Sequence, residues 1–125
     1  MKRNALIEEL KKKGFGEADG YLKRNFNGRD LRLFISSNMF GKITEVTMIC
    51  VFENDLEDEL HEEVLETAEK LVNGLTPSLR IASIGYDFLE AEVTGKAMRK
   101  SADILIRECA IFADAIAPLL GKYLL

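Results

Sequence analysis

The chain of 125 residues is 47% hydrophobic and 30% charged, with 2 prolines and 9 glycines, which fits one globular domain over residues 1–125 and excludes a disordered or low-complexity protein. A chain of this length buries roughly two thirds of the surface it exposes when unfolded, so its core needs no metal or disulfide staple. The 17 basic and 21 acidic residues leave a net charge of −4, no global reason to bind nucleic acid or anionic lipid.

The charge is unevenly placed: residues 1–32 hold nine basic and five acidic groups, while residues 53–69 hold nine acidic groups and no Lys or Arg. No apolar leader follows Met1-Lys2-Arg3-Asn4, and no run reaches the roughly 18 apolar residues of a membrane span, so a cytoplasmic protein without membrane contact is expected. Cys50 and Cys109 lie within apolar runs and read as buried thiols in a reducing compartment.

In chain order, Ala5, Leu6, Ile7 and Leu10 predict a short helix over 2–13, stopped by Gly14 and Gly16, with Lys11, Lys12 and Lys13 at its C-terminal end. Strand-like runs over 21–26 and 29–35 flank Asn27-Gly28, a two-residue hairpin signal in which both turn residues need positive φ. Residues 37–42 predict a second reversal into a strand over 43–52, whose apolar second half predicts cover on both faces. Asn54-Asp55-Leu56-Glu57 reads as a helix cap, followed by a stripe of Leu56, Leu60, Val64, Ala68 and Leu71, with Asn73-Gly74 as its left-handed stop and Pro77 beyond. Two strands follow over 79–84 and 88–93, the second alternating Leu89, Ala91 and Val93 with Glu90, Glu92 and Thr94. A last helix over 96–120 carries Met98, Ala102, Leu105, Cys109, Phe112 and Ile116 on one stripe, with Ile104 and Ile111 off it. The order α-β-β-β-α-β-β-α predicts an α+β fold, an antiparallel sheet backed by helices.

Few constellations carry chemistry. His61 is the sole histidine, and helical spacing puts it on the polar side of its stripe; Leu65 stands where a zinc-protease motif needs its second histidine. Neither cysteine has a partner at metal-ligand spacing. The acidic run is no calcium loop, because Leu60 occupies the sixth position from Asp55, where the tight turn needs glycine. Gly95-Lys96 lacks the glycine and hydroxyl residue of a phosphate loop, and Gly14-Phe15-Gly16 lacks a dinucleotide site's third glycine. No catalytic residue, cofactor site or metal site is therefore assigned, although an enzyme using His61 as base or a small-ligand domain remains the alternative.

Two surfaces are left. Glu59, Glu62, Glu63 and Glu66 form an acidic helix face suited to a basic polypeptide, their like-charge pairs costing about 0.2–0.5 kcal/mol each. Ile104 and Ile111 supply a second apolar stripe, which a homodimer would bury, with Ala113, Ala115 and Ala117 allowing close approach. Lys11, Lys12, Lys13, Lys23, Arg24, Arg29 and Arg32, with Tyr21 and Phe26 among them, form a weaker candidate for nucleic acid.

The element order and the ending Ala102-Asp103-Ile104-Leu105-Ile106-Arg107-Glu108-Cys109-Ala110-Ile111-Phe112-Ala113-Asp114-Ala115-Ile116-Ala117-Pro118-Leu119-Leu120 resemble the YbjN-like family, over about residues 3–120. That family shares the fold of the type III secretion chaperones. The resemblance implies a non-enzymatic, commonly dimeric domain that binds other polypeptides or acts in regulation. It carries no catalytic motif, and a shared fold does not fix a function.

Overall fold

The computed structural model describes residues 2–26, 28–51, 58–76, 79–84, 88–93 and 102–123. Helix α1 (Arg3–Lys12) buries Leu6, Ile7 and Leu10 at helical spacing. It ends in a Schellman motif: Gly14 has φ +99°, the Gly14 amide donates to the Lys11 carbonyl and the Phe15 amide reaches back to the Leu10 carbonyl. Both apolar partners that accompany this motif, Leu10 and Phe15, lie in the core.

The next element was not legible as a strand. β1 (Gly16–Ala18) pairs with β2 (Tyr21–Phe26) through Asp19-Gly20, with Ala18 opposite Tyr21 and Gly20 at φ +87°. Gly-Glu-Ala has no apolar alternation, so no strand was expected there; among the described residues the order is α-β-β-β-β-α-β-β-α. β2 and β3 (Arg29–Ser37) form the hairpin expected at Asn27-Gly28, with Phe26 opposite Arg29, Gly28 at φ +85° and its amide donating to Asn25 Oδ1. β4 (Ile43–Val51) follows the reversal at 38–42.

A 3₁₀ turn over Asp58–Leu60 leads into α2 (His61–Leu75), whose N-cap is Leu60, without a side-chain cap. The expected cap at 54–57 lies outside the described residues. The buried stripe of α2 is Val64, Ala68 and Val72, and Leu71 is 40% exposed: an i, i+4 row drifts by roughly 40° per step, so at the end of the helix the buried line has turned toward Val72, roughly 100° from Leu71. Asn73-Gly74 does not stop the helix; both lie inside it, and the break comes at extended Thr76 (φ −152°, ψ 122°), which precedes Pro77 and so disfavours helix.

β5 (Leu79–Ile84) and β6 (Phe88–Val93) occupy the expected segments, and α3 (Ala102–Tyr123) closes the chain. Met98 lies outside the described residues. All six strands join one sheet in the order β1-β2-β3-β4-β6-β5, every neighbouring pair antiparallel. The α+β class and the antiparallel sheet backed by helices are as expected.

Register explains the core. One row runs Leu22, Leu33, Met48, Ala91, Ile81 across the sheet, and a second runs Ile35, Val46, Val93, Leu79. Leu22, Leu33, Ile35, Val46, Met48, Leu79 and Ile81 of these rows share the core with Leu6 and Leu10 of α1, Val64 and Ala68 of α2, and Leu105, Cys109 and Phe112 of α3. The opposite face of β4 holds buried Thr47 but only half-buried Ile49 and Val51, so the apolar second half of this strand is fully covered on one face only. Thr47, Ile49 and Val51 on that face are all β-branched, which reflects strand propensity as well as burial.

Candidate docking surfaces

On α2 and the turn before it, Glu59, Glu62, Glu63 and Glu66 are all exposed. Among the described residues, Glu59, Glu62 and Glu66 enter no ion pair. His61 departs from expectation. It is half-buried, because the helix starts at this residue and its direction matches that of Ala68 and Val72 rather than of the carboxylates.

The basic groups behave differently. Lys11 Nζ lies 2.7 Å from Glu17 and 3.6 Å from Glu8, and Lys13 Nζ lies 2.7 Å from Asp103. The hydrogen bond from Lys11 holds the Glu17 carboxyl below its ordinary value, while the same partner raises Lys11 and Asp103 raises Lys13. Arg24 sits on the core face of β2 with its guanidinium 4.7 Å from the Phe26 ring centre and 5.9 Å from that of Phe15. Arg32 lies over Tyr21 at 5.1 Å, its Nε 3.6 Å from Asp30 Oδ2, too long for a hydrogen bond. Four of the seven cations considered for nucleic acid are thus already engaged within the fold.

Helix α3 places Ile104 and Ile111 half-buried beside its core stripe of Ala102, Leu105, Cys109 and Phe112. Ala113 is not available for close approach by another chain: it is 1% exposed, one turn beyond Cys109 on the core stripe. Ala115 is half-buried, and the side chain of Ala117 lies outside the described set. Cys50 and Cys109 are both buried thiols, and burial pushes Cys109 well above its ordinary value, with Arg24 opposing only in part.

Two features escaped the sequence reading. Glu108 is 3% exposed; its Oε1 accepts from Thr76 Oγ1 at 3.1 Å, while Oε2 has no hydrogen-bond partner among the described residues. The signal was present, since Glu108 stands three residues after Leu105 and four before Phe112, on the core stripe itself.

The second is the β3–β4 turn, where Met39 is 89% and Phe40 70% exposed. Beside it lies a hollow of about 430 Å³ lined by Lys2, Arg3, Asn4 and Ser37 together with the turn. A smaller cavity of about 60 Å³, between α1 and the first strands, has room for a water or two. Among the described residues no group of three or more His, Cys, Asp or Glu is arranged to hold a metal ion, and no helix is long and apolar enough to cross a membrane.

Comparison of the chain with family models, with characterised proteins and with solved structures finds no match.

Proposed function

We propose that this chain is a non-enzymatic, cytoplasmic polypeptide-binding domain of chaperone-like or regulatory type, acting as a homodimer. The observation that carries this reading is a contrast on the surface. Lys11 and Lys13 are held in ion pairs within the fold, whereas Glu59, Glu62 and Glu66 stand exposed in a row without such a pair among the described residues. Carboxylates kept free at a mutual repulsive cost suit a basic partner segment, for which they supply orientation and rate of encounter. The half-buried Ile104 and Ile111 offer a separate face for a second copy. The likeness to the YbjN-like family and to the type III secretion chaperone fold belongs to the same proposal.

The test is to identify by mass spectrometry the polypeptide that co-purifies with the chain from its own cells and to measure its affinity directly. Reversing Glu62 and Glu66 to Lys is expected to weaken that affinity about tenfold or more at low salt, with the difference shrinking as salt rises. An unchanged affinity overturns the reading.

A further inference from the structure

The geometry points to the β3–β4 turn as a contact with an anionic lipid surface, in which Met39 and Phe40 enter the bilayer interface and Lys2 and Lys42 face the headgroup phosphates, while Arg3, half-buried with its Nε donating to the Ile35 carbonyl at 2.7 Å, fixes the base of the turn. This goes beyond the polypeptide-binding reading, does not depend on it, and departs from the expectation of no membrane contact, which rested on net charge and on the lack of a spanning segment and not on a local surface.

The turn is built, not loose. The Asn38 side-chain oxygen accepts from the amides of Phe40 (2.9 Å) and Lys42 (3.0 Å), and the Gly41 amide donates to the Asn38 carbonyl. The Asn38 amide donates to the Lys42 carbonyl, and the Arg3 amide donates to the Gly41 carbonyl, each at 2.9 Å. Lys2 Nζ donates to the Phe40 carbonyl at 2.6 Å, and Gly41 takes the positive φ of +77° that closes the loop. Two large apolar side chains are therefore held out from the tip on a backbone whose polar groups are largely satisfied internally. That is the condition for moving a segment from water into an apolar medium. Being ordered already, the loop loses little entropy on binding.

Charge selects the medium. Lys2 and Lys42 stand exposed at the base of the turn, and the nearest carboxylate along the hairpin is Glu45, opposite Ser36 and accepting from Thr47 Oγ1 at 3.4 Å. Lys2 and Lys42 are bridged backbone to backbone, so two like charges stand side by side at the base of the tip. An apolar tip above a cationic collar matches the layering of a negatively charged leaflet, with acyl chains below and phosphates above. Side chains exposed to this degree are covered on every side by lipid, whereas a flat protein surface would cover one side of each.

The chain has no tryptophan, so Phe40→Trp introduces a single reporter at the tip. On vesicles of equal parts phosphatidylcholine and phosphatidylserine its emission is expected to shift to the blue and to be quenched by brominated acyl chains. On pure phosphatidylcholine the shift should be weak, and Leu75→Trp on α2 should not respond. In sedimentation, the natural chain should bind the anionic vesicles. Met39→Ser with Phe40→Ser, and separately Lys2→Glu with Lys42→Glu, should each lower partitioning about tenfold or more, with unchanged circular dichroism. The proposal is overturned by absence of vesicle binding, by equal binding to the zwitterionic vesicles, or by binding indifferent to the Met39 and Phe40 changes. It is also overturned if the tip drives only self-association or capture of a protein.

Discussion

Glu108 places a carboxyl group on the core stripe of Leu105, Cys109 and Phe112, with Thr76 donating to one oxygen and the other unpartnered among the described residues. A buried polar group costs little while paired and much when its partner is removed, so the pair is best tested as a cycle. Thr76→Val is expected to destabilise by about 1–3 kcal/mol, and Thr76→Val combined with Glu108→Leu to lie within about 1 kcal/mol of the natural chain, both measured by urea unfolding. If the double change costs the sum of the two single ones, the two groups do not act as a pair. The thiols make a second residue-scale case: Cys50 and Cys109 are both fully buried, and burial disfavours the reactive thiolate of Cys109. Neither should react with a thiol reagent in the native protein, and both should react once it is unfolded; a titratable thiol in the folded state would contradict the packing.

Among the elements, the junction of α1 and β1 depends on one backbone conformation. Gly14 has φ +99°, and a Cβ there would meet the Arg24 side chain at 3.6 Å. Gly14→Ala should cost about 1–2 kcal/mol from the left-handed conformation alone. Gly16→Ala, at ordinary φ with its nearest neighbour 3.9 Å away, should cost markedly less. Equal losses at the two sites would refute the assignment. The same junction is tied by Lys11 to Glu17, whose carboxyl is held below its ordinary value. A lowered folded-state pKa gives stability that is present above the unfolded carboxylate range and lost as pH falls through the folded value. Glu17→Gln should therefore flatten that part of the acid limb of the stability profile, and added salt should produce the same flattening, since both side chains are exposed. Turn chemistry and strand alternation made most of this architecture legible: the hairpin closed at Gly28, the strands around it, the segments of β5 and β6, and Ala102, Leu105, Cys109 and Phe112 of the α3 stripe stand where their patterns put them. The misses have physical causes. β1 lacked apolar alternation, and Asn73-Gly74 was overridden because the residue before Pro77 sets the end of the helix.

Over the whole molecule, the acidic face of α2, the flank of α3 and the β3–β4 turn are separate surfaces, and only part of them could be read in advance. The carboxylates were visible as a charge run. The exposed tip was not, because Met-Phe next to Asn and Gly reads as an ordinary reversal until the fold shows that no other element covers it among the described residues. Assembly is the property that connects the surfaces, since a dimer doubles whatever each presents and converts weak single contacts into paired ones. On the proposed dimer, Ile104 and Ile111 leave solvent together; light scattering should give twice the 14.1 kDa chain mass. Ile104→Glu with Ile111→Glu should return the single-chain mass with the fold intact, because both side chains are half-buried and neither belongs to the core cluster. Charge introduced at the centre of an apolar contact is far more costly than at its rim, so the change should act through dissociation and not merely slow association. A monomer at high concentration before any substitution, or a dimer that survives both, would remove α3 as the dimer face. Because Met39 and Phe40 lie on a different element, the Met39→Ser, Phe40→Ser chain should keep the dimer mass, which separates the two surfaces in one measurement.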